Sequence, residues 1–129
     1  MRREKAEGEV RSEPRDIVER TEDFAVRAVG VFRYLQDRPD RAGWVVGKQF
    51  LRAATSVGAN VEEAQDASSR KDFAHRYSIA LREARESRYW LRIMRKTEMA
   101  PPDRLDPLIQ EASELYAILS TIVKKARAA

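Results

Sequence analysis

Apolar residues recur at every third or fourth position through four long segments of the chain, a spacing typical of amphipathic α-helices. The pattern predicts a first helix over residues 16–37, a second over 43–67, a third from about 68 to 98 and a fourth from about 103 onward. Four helices of similar length with short connections predict an all-α fold, an up-down-up-down four-helix bundle.

Local signals mark the ends of these helices. Arg38-Pro39-Asp40 ends the first helix, because proline disfavours helical geometry in the residue before it. Ser69, with Asp72 three positions later, predicts an N-cap for the third helix. Asp103, which follows Pro101-Pro102, is the candidate cap of the fourth helix.

Each predicted helix has one apolar face, and together these faces predict the core. Thr21 is the one polar residue in the face of the first helix. The predicted core positions are Ile17, Thr21, Phe24, Ala28, Val31 and Leu35; Val46, Phe50, Ala53, Ala54, Val57, Val61 and Ala64; Phe73, Tyr77, Ala80, Ala84, Ser87, Leu91 and Met94; and Leu105, Leu108, Ala112, Leu115, Leu119, Ile122 and Ala126. The flanks that widen the first and fourth faces are Val18, Ala25, Val29 and Phe32, and Ile109, Tyr116 and Val123.

Gly58 lies in the middle of the second predicted helix, among small residues. A glycine at such a position costs about 1 kcal/mol relative to alanine. We therefore expect the backbone of a neighbouring helix to approach closely there.

Composition narrows the classes of protein that remain. The 129 residues fit one domain, the bundle over residues 16–129. Residues 1–15 are charged, without an apolar period, and we expect a mobile tail there or, alternatively, a nucleic-acid-binding arm. The absence of cysteine, signal peptide and membrane span favours the cytoplasm. A net charge of +4 permits nucleic-acid binding without requiring it.

Residues capable of catalysis or metal binding are few. His75 is the single histidine, and helical phase points it away from the core, whereas a di-iron site needs two Glu-x-x-His motifs. Glu62 and Glu63 are adjacent, so they face different directions. No glycine spacing matches a phosphate-binding loop. We predict no catalytic residues, no metal site and no cofactor, and hence a protein that is not an enzyme.

The third helix carries a basic face on the side away from its core stripe. Cationic side chains at helical pitch with an aromatic residue among them can follow a phosphate backbone and stack a base. The alternative is a solvated face, or one that pairs with another subunit. The candidate nucleic-acid-binding residues are His75, Arg82, Arg85, Tyr89, Arg92 and Lys96, with Ser78 extending the face.

Two further stripes suggest contacts. Ile79, Trp90 and Ile93 lie together off the core side of the third helix, with Glu86 among them, which favours self-association over a core that merely extends this far. The second helix has a polar stripe beside its apolar one, interpreted either as a buried hydrogen-bonded network or as solvent-exposed surface. That stripe consists of Arg52, Ser56, Asn60 and Glu63.

The polar stripe lies within a recognisable motif. Residues 49–64, QFLRAATSVGANVEEA, followed by Ser69–Phe73 and Ile79–Glu86, resemble the signature of the bacterial four-helix bundle proteins known as 23S rRNA-intervening-sequence proteins. The resemblance covers about residues 17–125. It departs at Ala64, where many members have glycine, and this favours a second helix that continues toward Ala67.

The resemblance implies a bundle that assembles as a homopentameric ring. It also implies a structural role for Arg52, Ser56, Asn60, Glu63 and Glu86. A related branch, the accessory proteins of diversity-generating retroelements, forms basic pentamers that bind nucleic acid and a reverse transcriptase.

The sequence therefore predicts a non-enzymatic homo-oligomer that binds RNA or DNA through basic faces. Two alternatives stay open. One is a scaffold that displays a surface to a protein partner, such as a reverse transcriptase, and has no nucleic-acid role. The other is an enzyme with a polar pocket built on Arg52, Asn60 and Glu63.

Overall fold

A computed structural model describes residues 14–128 of the chain, with side chains from residue 17 onward. These residues form four α-helices and no strand, so the predicted all-α class is confirmed. The helices are α1 (Pro14–Gln36), α2 (Arg41–Ala64), α3 (Arg70–Lys96) and α4 (Pro102–Ala128). Most of the predicted tail, residues 1–13, lies outside the described part. Pro14 and Arg15, which were assigned to the tail, belong to α1, because proline is tolerated in the first helical turn.

Successive helices pack side by side and run antiparallel. Arg52 on α2 reaches Glu86 on α3, whereas Gln65, further along α2, reaches Tyr77, which lies earlier on α3. α1 packs closely against α2, α2 against α3 and α3 against α4, while α1 and α4 approach each other less closely. This arrangement is an up-down-up-down four-helix bundle.

The wider seam between α1 and α4 is closed by an ion cluster that we call the α1–α4 clasp. Arg20 donates hydrogen bonds to Glu111 at 2.7 and 3.1 Å and to Glu114 at 3.0 Å. Gln110 donates to the other oxygen of Glu114 at 2.9 Å. The hydrogen bond to Glu111 raises the pKa of Arg20 above its ordinary value, so the cation is fixed in place.

The core follows the predicted stripes closely. All six predicted positions of α1 are buried, including Thr21, whose hydroxyl donates to the carbonyl of Ile17 at 2.8 Å and is thereby satisfied. Ser87, the polar core position of α3, likewise donates to the carbonyl of Glu83 at 2.8 Å. Of the predicted core positions, four are only partly buried: Val46, Phe73 and, near the end of α4, Ile122 and Ala126.

In the last turns of α4 the buried position moves from the centre of the predicted face to its flank. Val123, on the flank, is buried there, whereas Ile122 and Ala126 are only partly buried. An α-helix advances 100° per residue, so a strict seven-residue repeat drifts by about 20° per heptad. By the end of a long straight helix, the position facing the core has therefore moved to a neighbouring residue.

Gly58 packs against the backbone of α1, as predicted from the small residues around it. A Cβ atom at this position would lie 3.1 Å from the carbonyl oxygen of Thr21 and 3.3 Å from its carbonyl carbon. Backbone atoms in a packed helix cannot give way as a side chain can, so this site accepts only glycine without a shift of α1.

Two predicted helix boundaries are wrong. α2 ends at Ala64 and does not continue to Ala67, because the next three backbone N–H groups bond three residues back, a tighter turn than the α-helix. Asp103 is not the cap of α4, since Pro102 is already helical. The predicted cap of α3 is confirmed, with the Ser69 hydroxyl accepting from the N–H of Asp72 at 3.0 Å.

The turn after α3 uses a left-handed residue other than glycine. Glu98 has φ of 59°, in the region that glycine usually fills at this position. The N–H of Met99 bonds to the carbonyl of Met94 at 2.9 Å, and the N–H of Glu98 bonds to that of Arg95 at 3.4 Å. Met94 and Met99 are both buried, which completes a Schellman motif and turns the chain toward α4.

Candidate nucleic-acid interface

Positive charge is concentrated on α3. Its 27 residues include nine Lys and Arg against three Asp and Glu, whereas α4, of the same length, has four of each. The excess on this one helix is larger than the +4 of the whole chain. The remaining three helices together carry no comparable excess, so α3 is the source of the basic character of the bundle.

Part of this charge forms a strip along the outer side of α3, which we call the basic strip. Each of its members is exposed, and Tyr89 has 48% of its surface accessible. From first to last the strip spans about 32 Å, at 1.5 Å per helical residue. It consists of His75, Arg82, Arg85, Tyr89, Arg92 and Lys96. Their outward orientation is as predicted, and their contact with nucleic acid remains a prediction.

The three acidic residues of α3 do not neutralise the basic strip. Asp72 contacts Arg76 at 3.8 Å beside the helix start. Glu83 and Glu86 turn toward α2, where both pair with Arg52. No carboxylate of residues 17–128 forms an ion pair with the four arginine and lysine side chains of the strip, so their charge is available to an external anion.

Other cations of α3 are held by α4. The guanidinium of Arg88 lies 5.0 Å from the ring centre of Tyr116, and that of Arg95 donates to Asp106 at 2.9 Å. These residues lie on the flank of α3 that packs against α4. Arg88 and Arg95 are therefore held in contacts with α4, whereas the cations of the basic strip are not.

On the opposite flank of α3, side chains from α2 and α3 form a hydrogen-bonded cluster, the α2–α3 network. Arg52 contacts Glu86 at 2.6 Å and Glu83 at 3.5 Å. The indole N–H of Trp90 donates to the same oxygen of Glu86 at 2.9 Å. The hydrogen bond from Trp90, reinforced by Arg52, lowers the pKa of Glu86 below its ordinary value, so the carboxylate stays ionised at neutral pH.

The α2–α3 network connects two surfaces that were predicted separately from the sequence. One is the polar stripe of α2, and the other is the stripe of Ile79, Trp90 and Ile93 on α3. In the single chain the side chain of Arg52 remains 53% exposed, so the burial of this network, whether by the helices or by a contact between subunits, stays a prediction. An arginine on an outer helix position carries its guanidinium across the seam to the surface, where water still reaches it.

The rest of the polar stripe on α2 makes only local contacts. Asn60 donates to the carbonyl of Ser56 at 2.9 Å and to its hydroxyl at 3.2 Å, one turn away in the same helix. Glu63 is exposed. Arg52 therefore binds another helix, and it does not pair with Glu63. Among residues 17–128, no hydrogen bond or ion pair joins any two of the three residues proposed for an enzymatic pocket.

Ile79, Trp90 and Ile93 lie along the outer edge of the α2–α3 seam and are each partly exposed. Val45 on α2 is 51% exposed. Ile93 lies seven residues after Glu86, and Val45 lies seven residues before Arg52. Because the helices are antiparallel, Ile93 and Val45 lie at the same height along the bundle axis, each about two turns from the contact between Glu86 and Arg52. Apolar surface therefore extends along this seam beyond the stripe that the sequence indicated.

Comparison with known proteins fits this architecture. The family model described as 23S rRNA-intervening sequence protein matches residues 13–121. The chain belongs to this family. The similarity that the central motif indicated is thereby confirmed, and the match includes all of α1, α2 and α3.

A crystal structure from the S23 ribosomal protein family, from Bacteroides thetaiotaomicron VPI-5482, is similar to the chain and is described as a protein of unknown function. The two are 34% identical, with a TM-score of 0.79, over 86% of this chain and 97% of that one. No protein with a curated function matches. Membership of the family therefore establishes the fold and leaves the activity to be inferred from the surface.

The central part of the family motif and the basic strip lie on different helices. Residues 49–64 lie in α2, and through Arg52 they contact α3 on the flank away from α4. The later part of the motif, residues 79–86, lies in α3 and includes Arg82 and Arg85 of the basic strip. The motif therefore spans the seam between the two helices and reaches the cationic surface.

The structure also answers two chemical questions for the described residues. Between residues 14 and 128, no three His, Asp or Glu side chains group together in a way that would hold a metal ion. None of the four helices is both long and apolar enough to span a bilayer. His75 is exposed, so the single histidine has no buried partner with which it could form a catalytic pair.

Proposed function

We propose that the protein is a non-enzymatic homo-oligomer that binds RNA or DNA through the basic strip of α3. The observation that carries the proposal is the set of four cations at helical pitch that have no carboxylate partner among residues 17–128, with the exposed Tyr89 between them. Cations of this kind bind phosphates by releasing counterions, and an exposed ring can stack a base.

Self-association supports this function. The strip of one chain offers few phosphate contacts, but several strips in one assembly raise the effective concentration of each for a shared strand. The half-exposed Arg52 and the apolar side chains of Ile79, Trp90 and Ile93 favour the α2–α3 seam as the contact between copies. We adopt a pentamer as the working stoichiometry from the family resemblance.

The test measures nucleic-acid affinity as a function of salt. For a single strand, the slope of log K against log salt is about −0.7 per neutralised phosphate, so the four cations of one strip predict a slope near −3. Reversing two of them, in the variant Arg85→Glu/Arg92→Glu, should abolish most of the affinity. The matched control, Arg33→Glu/Lys125→Glu, changes the net charge equally at exposed positions of α1 and α4 and should bind nearly as the wild type does.

Two results contradict the proposal. Affinity that does not change with salt excludes a phosphate contact. Equal losses in the strip variant and in the control mean that only total charge matters, and that the strip is not an interface.

The α2–α3 seam favours a second candidate function, a scaffold for a protein partner such as a reverse transcriptase. Its exposed apolar side chains suit a protein surface better than a phosphate backbone. A pull-down with the purified chain that recovers one stoichiometric protein and no nucleic acid supports this candidate. The variant Trp90→Ala should then lose the partner, while Arg85→Glu/Arg92→Glu should retain it.

A further inference from the structure

The bundle end where α2 begins and α3 finishes has a cluster of aromatic and cationic side chains that the basic strip does not include. We call it the aromatic end. Trp44 is 43% exposed in the first turn of α2, and the ammonium of Lys48 lies 4.5 Å from the centre of its ring system. A tryptophan left this exposed at a helix start adds nothing to the core, and neither does the lysine beside it.

Tyr34 gathers two further cations at the same end. The guanidinium of Arg104, from the first turn of α4, lies 4.3 Å from the ring centre of Tyr34, and that of Arg38 lies 5.3 Å from it. Arg38 also donates to the Tyr34 hydroxyl at 3.0 Å. Neither guanidinium forms an ion pair with a carboxylate of residues 17–128. Two like charges on one ring repel each other, and an anion between them would relieve that repulsion.

Arg38 connects the two groups. It lines a cleft with Tyr34, Arg95 and the turn at residues 98–102, and it lines an adjacent cleft with Arg41 and Trp44. The guanidinium of Arg38 therefore lies between two neighbouring clefts, one lined by Tyr34 and the other by the exposed indole of Trp44.

The carboxylates at this end do not remove the positive charge. Asp40 lines the second cleft, but its carboxylate lies against the start of α2, close to Gly43, where the helix dipole offsets a negative charge. Glu98 lines the first cleft. Asp37 and Asp103 also lie at this end, next to Arg38 and Arg104 in the sequence. No acid among residues 17–128 forms an ion pair with Arg38, Arg41, Lys48 or Arg104, so these four cations stay available to an external anion.

We propose that the aromatic end binds an unpaired nucleotide of a single strand, with a phosphate at Arg38 and Arg104 and a base stacked on Trp44. In a duplex both faces of each base are covered by its neighbours, so only an unpaired base can reach the indole. The inference builds on the proposed function, since the strand held by the basic strip, which ends at Lys96 near this end, is the strand that would reach Trp44.

The experiment compares a labelled single strand with a blunt duplex of the same sequence, measured by fluorescence anisotropy at one salt concentration. In the wild type we expect tighter binding of the single strand. Trp44→Ala should weaken single-strand binding about fivefold or more, the loss expected when one stacked base is removed, and should leave duplex binding unchanged. Trp44→Tyr keeps an aromatic face and should recover most of the loss.

Controls separate stacking from general surface loss. Val26→Ala removes another exposed apolar side chain, on α1, and should change neither affinity. Arg38→Ala and Arg104→Ala should each reduce the salt slope for the single strand by about 0.7. If Trp44→Ala lowers both affinities equally, or lowers neither, the aromatic end does not stack a base and the inference is overturned.

The outcomes also separate this inference from the function on which it builds. Binding that depends on Arg85 and Arg92 but not on Trp44 overturns the inference alone. Single-strand binding that survives Arg85→Glu/Arg92→Glu and is lost with Trp44→Ala overturns the strip and supports the aromatic end. If the wild type binds neither oligonucleotide, both the proposed function and this inference are overturned. If an acidic peptide binds more tightly than the single strand, and Trp44→Ala does not change its binding, the ligand is a protein instead.

Discussion

Arg20 and Arg52 each bind two glutamates spaced three residues apart on a neighbouring helix, yet their surroundings differ. In the α1–α4 clasp, the side chain of Arg20 is 27% exposed and that of Glu111 only 17%. In the α2–α3 network, the side chain of Arg52 is 53% exposed, although that of its partner Glu83 is only 14% exposed and a hydrogen-bonded tryptophan lies beside the cluster. The two arginines thus differ in exposure, whereas each has one glutamate partner that is largely buried.

The difference between the two clusters follows from the helices they join. α1 and α4 approach each other least closely of the packed pairs, so the guanidinium of Arg20 fills space within the seam. α2 and α3 pack tightly, so the guanidinium of Arg52 lies outside the seam, beside apolar side chains that water also reaches. The α1–α4 clasp therefore contributes to the stability of the fold. The ion pairs of the α2–α3 network would become stronger if another molecule covered them, because Coulomb attraction grows as water is excluded.

The largest effect is expected for Arg20→Ala. Removing the cation leaves Glu111 partly buried without its hydrogen-bond donor, so we expect the free energy of unfolding to fall by about 1–2 kcal/mol. Chemical denaturation measures this loss, which should not depend on protein concentration. Arg27→Ala, which removes an exposed arginine 3.8 Å from Asp23 in α1, is the control and should change stability much less.

A smaller effect on folding is expected for Arg52→Ala. The exposed network should contribute less than about 1 kcal/mol to the stability of the single chain. Under the proposed self-association through this seam, Arg52→Ala should shift the protein toward smaller species in sedimentation velocity, relative to the wild type at the same concentration. A loss of folding stability equal to that of Arg20→Ala, with assembly unchanged, would show that the two clusters do the same work.

The smallest effect concerns acid. The lowered pKa of Glu86 means that its contribution to stability is complete above its unfolded pKa, near 4.5, and is lost as pH falls through the lower folded value. Glu86→Gln cannot ionise, so its stability should fall less than that of the wild type between neutral pH and pH 3. Thermal unfolding across this range measures the difference, and parallel curves for the two proteins would contradict a depressed pKa.

Periodicity in the sequence was enough to predict most of the fold. Thr21 was placed in the core because it occupies an apolar phase, and Gly58 was assigned a close backbone contact because a glycine inside a helix is otherwise unfavourable. Both predictions are confirmed, since the phase of a helix identifies its buried face, and a glycine within a helix indicates close packing without specifying the partner. The end of α2 was wrong because no cap residue marks it, and a turn of three-residue hydrogen bonds looks like helix in the sequence.

Contacts between helices were harder to predict. The clasp joins residues 91 positions apart, and no pattern within α1 or α4 indicates which acidic residue meets Arg20. Helical phase identified the outward cations of α3, but it did not show that α4 holds Arg88 and Arg95. The aromatic end was missed because Tyr34, Trp44 and Arg104 come from three helices and reach the same end of the bundle only in the folded chain.

The two glycines at the α1–α2 seam set different limits on how this sequence can vary. At Gly47, an added methyl group would meet the side chain of Leu35 at 2.9 Å and that of Phe32 at 3.2 Å, and side chains can rotate to make room. At Gly58, it would meet a carbonyl that is fixed in α1. A larger residue at position 47 therefore requires only that nearby side chains rotate. A larger residue at position 58 requires that α1 and α2 move apart.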